Sequence, residues 1–454
     1  MKTCAIFIIG ASCYVIALGA VFLPSRCGMT RSDIAVTVGD GHSSAGTVWH
    51  SEVAPRAVIL IGHGVTSNRG IMALTAKSFA RNGYAAVAFD FWGHGRSRER
   101  FDWSSNPAQI HAWASWARRE YPGLPVAYLG HSMGGFAGAE AFHEEPVVDA
   151  FVSLGALPRR VPECRTAVAA GVFEELFTIE QARTRLGDKA DVISSPFSNH
   201  AAETGDPLLI LRIIRWVNGA LGIDTPVIFP WWLWALSLSG VVIGTTGGLL
   251  SAYAVVKLIP KGDGATAAPG VSRRRWSVNP YRVWGLIFGV RGAASPPRSG
   301  SLPLALLQGL LFSATTVLLL SLLLDAHIFT IAFSHAGRLV TWLVLTPIAA
   351  LFVVPDVWAL ERLPLKSARS RFAVAALTRA TPLLLLAAVL RLLYFGLAFL
   401  SMMLGIYAFV LVMLALVHAT ATRAASDWRA GAFASAIMFA WVVAFWFPLY
   451  WPWT

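Results

Sequence analysis

Short runs of alternating apolar and polar positions fill residues 30–228, and from about residue 229 polar positions become sparse. In the first region the pattern predicts short β runs near Ile34–Val38 and Thr47–His50, then a buried strand, Ala57–Ile61, ending at His63-Gly64. "GIMALTAKSFARNG" has helical spacing and stops at Gly83. Tyr84–Asp90 reads as a strand followed by the turn "FWGHGRS", "PAQIHAWASWARREY" as a helix, and "PVAYLG" as a strand. "VVDAFVSLG" and "RTAVAAG" are further strands, "IEQARTRLG" a helix, "ADVISS" a short strand and "ETGDPLLILRIIRWVNGAL" a closing helix. Strands alternating with helices predict a mostly parallel sheet covered on both faces. Chemistry in such a sheet gathers at the carboxyl ends of the strands, where Gly64, Asp90, Ser132 and the loop after Ala169 fall.

The second region predicts membrane spans near Trp232–Leu258, Leu302–Leu324, Phe329–Val354, Pro382–Ser401, Met402–Thr420 and Ala432–Trp451. Ala5–Leu23 precedes the globular region as either a cleaved signal peptide or an anchor. The expected organisation is therefore an N-terminal segment over 1–28, a globular domain over 29–228 and an all-α transmembrane domain over 229–454. No clear polar turn separates the two spans that meet at Ser401.

Composition sharpens this division. The chain has 454 residues, 56% hydrophobic and only 14% charged, which is too apolar for a wholly soluble protein. The formal net charge of +12 sits mainly between spans. One loop holds Lys261, Arg273, Arg274, Arg275, Arg282, Arg291 and Arg298 against the single acid Asp263; another holds Arg362, Lys366, Arg369, Arg371 and Arg379; a third holds Arg423 and Arg429. These loops alternate, so all three fit the cytoplasmic side, with Lys2 inside and the globular domain outside. The charge thus reads as membrane orientation, and no basic groove with interleaved aromatics suggests nucleic acid. Trp231, Trp232 and Trp234, and then Trp446, Trp451 and Trp453, suit interfacial belts. Arg391, within "LLLLAAVLRLLYFG", and Arg338 with His335 lie in apolar surroundings. Each reads either as a lipid or substrate contact or as a structural group: a bond to a neighbouring helix for Arg391, a later start of the span for Arg338 and His335. Cys4 and Cys13 fall in the first span, while Cys27 and Cys164 either pair or remain thiols.

One motif carries chemistry. Gly130-His131-Ser132-Met133-Gly134 stands where the strand "VAYLG" meets a small-residue helix, the setting in which a serine is held in a strained turn with its hydroxyl projecting. "GDGHSSAG", from Gly39, also sets serine among glycines, but no helix follows and it reads as a hairpin turn. "GHGVTSNRG", "YAAVAFDFWGHGRS" and "GHSMGG", in that order, make residues from roughly Ser32 to Leu221 resemble an α/β-hydrolase of the monoacylglycerol-lipase and S33-peptidase-like group. The resemblance implies that fold and a catalytic triad, without a cofactor or metal. In the chain order of this fold His200 is the base, in the loop before the closing helix. The family's acid motif, Gly-x-x-Asp, aligns Glu174 with the aspartate when counted from Gly171, and Glu175 is the runner-up, one residue off. Oxyanion donors would be the Met133 N–H and, by the resemblance, the Val65 N–H. Only "ALPRRVPECR" stands where many relatives insert a lid, which predicts a poorly covered Ser132. The combined reading is a membrane-anchored serine hydrolase acting on a small-molecule or lipid ester. Amide or peptide hydrolysis and acyl transfer use the same triad, and a non-catalytic transporter or receptor-like protein with a hydrolase-derived module is the reading from another class.

Overall fold

The computed structural model describes residues 2–26, 28–39, 41–143, 145, 147–260, 279–287, 296–297, 300–325, 336–365, 367–393 and 395–446. The chain divides into two compact units, one gathered around a sheet over Leu18–Val241, the other formed by the start of the chain with Val242–Ser321 and Arg338–Phe445.

The sheet has eight strands: β1 Met29–Val38, β2 His42–Ser51, β3 Ala57–Gly62, β4 Tyr84–Phe89, β5 Val126–His131, β6 Ala150–Leu154, β7 Arg165–Gly171 and β8 Asp191–Ser195. Their order is β1-β2-β4-β3-β5-β6-β7-β8. β1 and β2 form a hairpin in register Val38↔His42, β2 meets β4 antiparallel, and every later pairing is parallel. Strands β3, β4 and β5 are buried along their whole length, which is why they read as continuous apolar runs rather than alternating ones. Helices α2 Ala73–Ala80 and α6 Pro207–Ala220 pack one face of the sheet, while α3 Asn106–Glu120 and α4 Met133–Ala141 pack the other. α5 Ile179–Leu186 covers β7 and β8 after a capping box, Thr178 with Gln181. The hairpin turn at Gly39–Gly41 lies before Ser43 and Ser44, and buried Ser44 is pinned by its hydroxyl donating to the Asp90 carbonyl at 3.1 Å. Residues 155–164, between β6 and β7, contain no helix, so no lid is inserted there.

The remaining helices are α1 Lys2–Arg26, α7 Trp231–Leu258, α8 Arg282–Ile287, α9 Leu302–Asp325, α10 Ala336–Glu361, α11 Ala368–Leu393, α12 Ala398–Ala425 and α13 Trp428–Trp446. Among the described residues, seven of them (all but α8) are long and apolar enough to cross a membrane.

Phe329–His335, where the fourth span is expected to begin, lie outside the described residues; the described helix runs over Ala336–Glu361. Arg338 then lies in the first turn of α10. It is buried, and its guanidinium donates to the carbonyls of Ala444 and Phe445, at 2.9 and 3.3 Å, at the end of α13. A cation there meets the negative end of a helix dipole, so this arginine has a structural partner. The fifth and sixth spans part at Phe395–Leu397, not at Ser401, which lies inside α12 and donates to the Ala387 carbonyl at 2.7 Å. Consequently Arg369, Arg371 and Arg379 ride on α11 instead of a loop, and Arg391 sits in the last turn of α11 rather than mid-span. Pairing explains how those charges enter a helix: Arg379 bridges Asp356 and Tyr281, and Arg371 bridges Glu361. Cys27, most of the first basic loop with Arg273, Arg274, Arg275, Arg291, Ser295 and Arg298, and Lys366, Trp451 and Trp453 lie outside the described residues. Cys164 carries a free thiol.

Candidate active site

Ser132 begins the site. It joins β5 to α4 with φ 51° and ψ −112°, a conformation that a non-glycine residue adopts only when its surroundings impose it. The surroundings are visible. Its N–H donates to the Leu154 carbonyl on β6 at 2.8 Å, and its own carbonyl accepts the Phe136 N–H at 3.0 Å. A β-carbon on Gly130 would collide with the Gly134 backbone, and one on Gly134 would lie 2.9 Å from the Gly62 backbone. Glycine on both sides is therefore a packing requirement of the sharp turn.

The turn aims Ser132 Oγ at His200, whose Nε2 lies 2.9 Å away. His200 Nδ1 lies 3.0 Å from both carboxylate oxygens of Glu174. Ser132, His200 and Glu174, placed by the ends of β5, β8 and β7, thus form a hydrogen-bonded chain, all of them buried. Glu174 Oε1 also accepts the N–H groups of Glu175 and Leu176, at 2.9 and 2.8 Å, which fixes the carboxylate in its own turn. Glu175 touches His200 differently. Its carboxylate accepts the His200 backbone N–H at 2.9 Å and the Asn199 amide at 3.1 Å, which ties down the loop that carries the ring.

Met133 is the first residue of α4, and its N–H belongs to the positive end of that helix. Val65 follows Gly64, where an added β-carbon would stand 3.2 Å from Ser132 Cβ. The backbone here passes directly against the serine. His63 and Asp90 are turn-formers. His63 Nδ1 lies 2.7 Å from the Gly64 carbonyl while Nε2 accepts the Phe91 N–H at 3.1 Å, and burial pushes its pKa down. Asp90 accepts the N–H groups of Arg69 and Arg96 at 2.8 and 3.0 Å.

Two residues near the centre carry no sequence signal. His131 Nε2 lies 3.1 Å from the His200 carbonyl; a carbonyl only accepts, so Nε2 carries the proton. Burial, with the neighbouring His200 adding to it, lowers the His131 pKa to about 3. Glu203 is wholly buried, and its Oε1 accepts the Gly171 N–H at 2.8 Å. Burial first, and the charge of Glu174 second, push its carboxyl well above the usual carboxylate range. In the sequence Glu203 is one acid among several in a polar loop; only the fold shows that it is sealed beneath the site. His131, His200 and Glu203 offer ligand atoms within 4.8 Å of one another, yet both ring nitrogens of His200 are already engaged by Ser132 and Glu174.

Without a lid, Ser132 is still only 9% exposed, because the turn recesses it between Gly64 and β6. A cleft of about 850 Å³ runs along the outer side of α4 from Phe136, with Trp103, His111, Glu140, Arg159 and Arg160 on its walls.

Residues 53–217 match the family model for serine aminopeptidases, S33. A monoacylglycerol lipase of Mycolicibacterium smegmatis is 32% identical over 110 residues, 23% of this chain and 39% of that protein. A monoglyceride lipase of Homo sapiens is 33% identical over 91 residues, 19% of this chain and 30% of that protein. This chain therefore aligns with well under half the length of these two lipases. Among solved structures, an esterase of Pyrococcus furiosus superposes with a TM-score of 0.39 at 14% identity, covering 44% of this chain and 96% of that one. Residues 53–217 are thus similar to the serine aminopeptidase S33 family, and they lie on a mostly parallel sheet flanked by helices, the α/β-hydrolase arrangement.

Proposed function

We propose that this protein is a membrane-anchored serine hydrolase that cleaves carboxylic esters, lipid esters among them, through an acyl-enzyme. The supporting observation is the chain of contacts from Ser132 Oγ through His200 to Glu174. In this reading His200 takes the hydroxyl proton as Ser132 attacks the ester carbonyl, then returns it to the departing alcohol. Glu174 keeps Nδ1 protonated and stabilises the imidazolium. The Met133 and Val65 N–H groups hold the oxyanion, and water repeats the sequence to release the acid. No step calls for a cofactor. The lipase names of the aligned relatives favour an ester over an amide.

The domain boundaries near residues 28 and 228, the multi-pass membrane placement and an extracytoplasmic catalytic domain belong to the same proposal. Seven apolar helices and the alternating basic loops support them. Membranes treated with a fluorophosphonate probe test the chemistry. Wild type should be labelled and Ser132→Ala should not, with both proteins present in the membrane; equal labelling would overturn the reading. In a background without native thiols, a cysteine replacing Ser104 should react with an impermeant maleimide in intact cells, and one replacing Ser295 only after lysis. The reverse pattern would invert the orientation.

A further inference from the structure

The two loops that deliver Glu174 and His200 are inside out. In the run Val172-Phe173-Glu174-Glu175-Leu176 the two acids are buried and the three apolar side chains are exposed. The run Pro196-Phe197-Ser198-Asn199-His200 repeats the inversion: Ser198 and His200 are buried while Phe197 is 75% exposed. The Phe173 N–H donates to the Ser198 carbonyl at 3.1 Å and the Val172 N–H to the Ser195 carbonyl at 2.9 Å, so the two loops form one rim. Scattered exposed apolar residues are ordinary, but a rim that turns its carboxylates inward and presents phenylalanine and leucine outward at a site marks an interaction surface.

The neighbour of this rim identifies what covers it. Phe197 shares a hollow of about 430 Å³ with Trp231, the first residue of α7, and Leu208 at the start of α6 forms part of its wall. Trp231 and Trp232 are themselves half-exposed, and the Trp232 ring lies 4.8 Å under the Arg81 guanidinium. Tryptophans paired with arginine at the head of an apolar helix are what a polar–apolar boundary selects.

We propose that the rim formed by Val172, Phe173, Leu176 and Phe197 docks on the surface of the bilayer that α7 enters, so that the active site draws its substrate from the lipid phase. This rests on the membrane-anchored hydrolase reading above and adds the surface through which lipid reaches Ser132. Rings in the headgroup region and acids facing inward give the polarity order that a membrane-facing loop requires.

The test uses the full-length protein reconstituted in phosphatidylcholine vesicles, native cysteines replaced, with Phe197→Cys carrying an environment-sensitive fluorophore. Vesicles with brominated acyl chains should quench that fluorophore by about half or more, since an interfacial side chain sits within roughly 5–10 Å of the acyl boundary. The same label at Ser104→Cys should be unaffected. No quenching at 197, or equal quenching at both positions, overturns the proposal and leaves a protein partner or a second copy as the cover. Because quenching needs no turnover, fluorophosphonate labelling of the same sample separates failure of docking from failure of the hydrolase reading. A second measurement compares a long-chain monoacyl ester in vesicles with a short water-soluble p-nitrophenyl ester. Replacing both Phe173 and Phe197 by serine should lower the ratio of the two rates about ten-fold or more, the scale set by losing two buried aromatic contacts. An unchanged ratio counts against docking.

Discussion

His200 with Glu174, in the sheet unit, and His418 with Glu361, in the helical unit, share one elementary contact: an imidazole nitrogen against a buried carboxylate, at 3.0 and 2.9 Å. Each imidazole also faces a hydroxyl, Ser132 Oγ at 2.9 Å and Thr422 Oγ1 at 3.4 Å. The resemblance ends there. Thr422 lies one turn along the same helix as His418, in ordinary α12 backbone, whereas Ser132 comes from another strand end with φ 51°. Glu361 also faces Arg371, and Glu174 is held by the backbone N–H groups of Glu175 and Leu176. An arginine spends the carboxylate's charge on a fixed cation; neutral amides orient it and leave that charge to stabilise an imidazolium. A histidine–glutamate pair therefore becomes a candidate catalyst through what faces its second nitrogen and through whatever else shares its carboxylate. The pair alone does not confer it.

The comparison breaks most easily at the hydroxyls. Ser132→Ala should lower ester turnover on the order of 10⁴-fold or more, while Thr422→Ala should stay within about two-fold. A crippled Thr422→Ala enzyme would mean that the helical pair takes part in the chemistry. Next come the acids of the sheet unit. Glu174→Gln should cost roughly 10³–10⁴ in kcat, because it removes the carboxylate that fixes the imidazole tautomer. Glu175→Gln, which alters contacts to the His200 backbone and the Asn199 amide, should cost about ten-fold at most; a larger loss there than at Glu174 would reassign the acid.

Glu361→Ala sharpens the other side. Leaving Arg371 and His418 buried without their shared acid should destabilise the protein by about 3–5 kcal/mol, read as a lowered thermal midpoint in detergent. Turnover per folded molecule should remain near wild type, and a catalytic loss without a stability loss would contradict the structural role.

The smallest effect concerns Glu203, whose carboxyl is held neutral well above its ordinary range. Because the folded state binds this proton more tightly than the unfolded chain, its contribution to stability is complete below about pH 4.3 and is lost as pH rises through the raised folded value. The thermal midpoint of wild type should therefore fall more steeply than that of Glu203→Gln over the range from about pH 5 upward. Parallel curves would show that Glu203 does not titrate across that window.

The candidate serine and the strand-to-helix turn that holds it were legible because the signal is local. Gly130 and Gly134 flank a turn whose sterics act within five residues, and β5 announces itself as a buried apolar run. The candidate histidine was singled out by chain order and the candidate acid by the family motif counted from Gly171; the fold brings both side chains to Ser132 because each parallel strand delivers its loop to the same edge. Tertiary structure alone decided the remainder. Glu203 and His131 look like loop and turn residues until the fold seals them under the site, because burial depends on chain far away: the partner of Glu203 is Gly171, and that of His131 is the His200 carbonyl. Arg371 and Arg379 read as loop charges, since hydropathy counts a cation without its partner; Glu361 and Asp356 on α10 let them ride in α11. The outward rim of Phe173 and Phe197 is hidden for the same reason. A sequence lists apolar and acidic residues side by side, but which of them faces the solvent is set by the direction of His200, and that direction exists only once β7 and β8 lie next to each other.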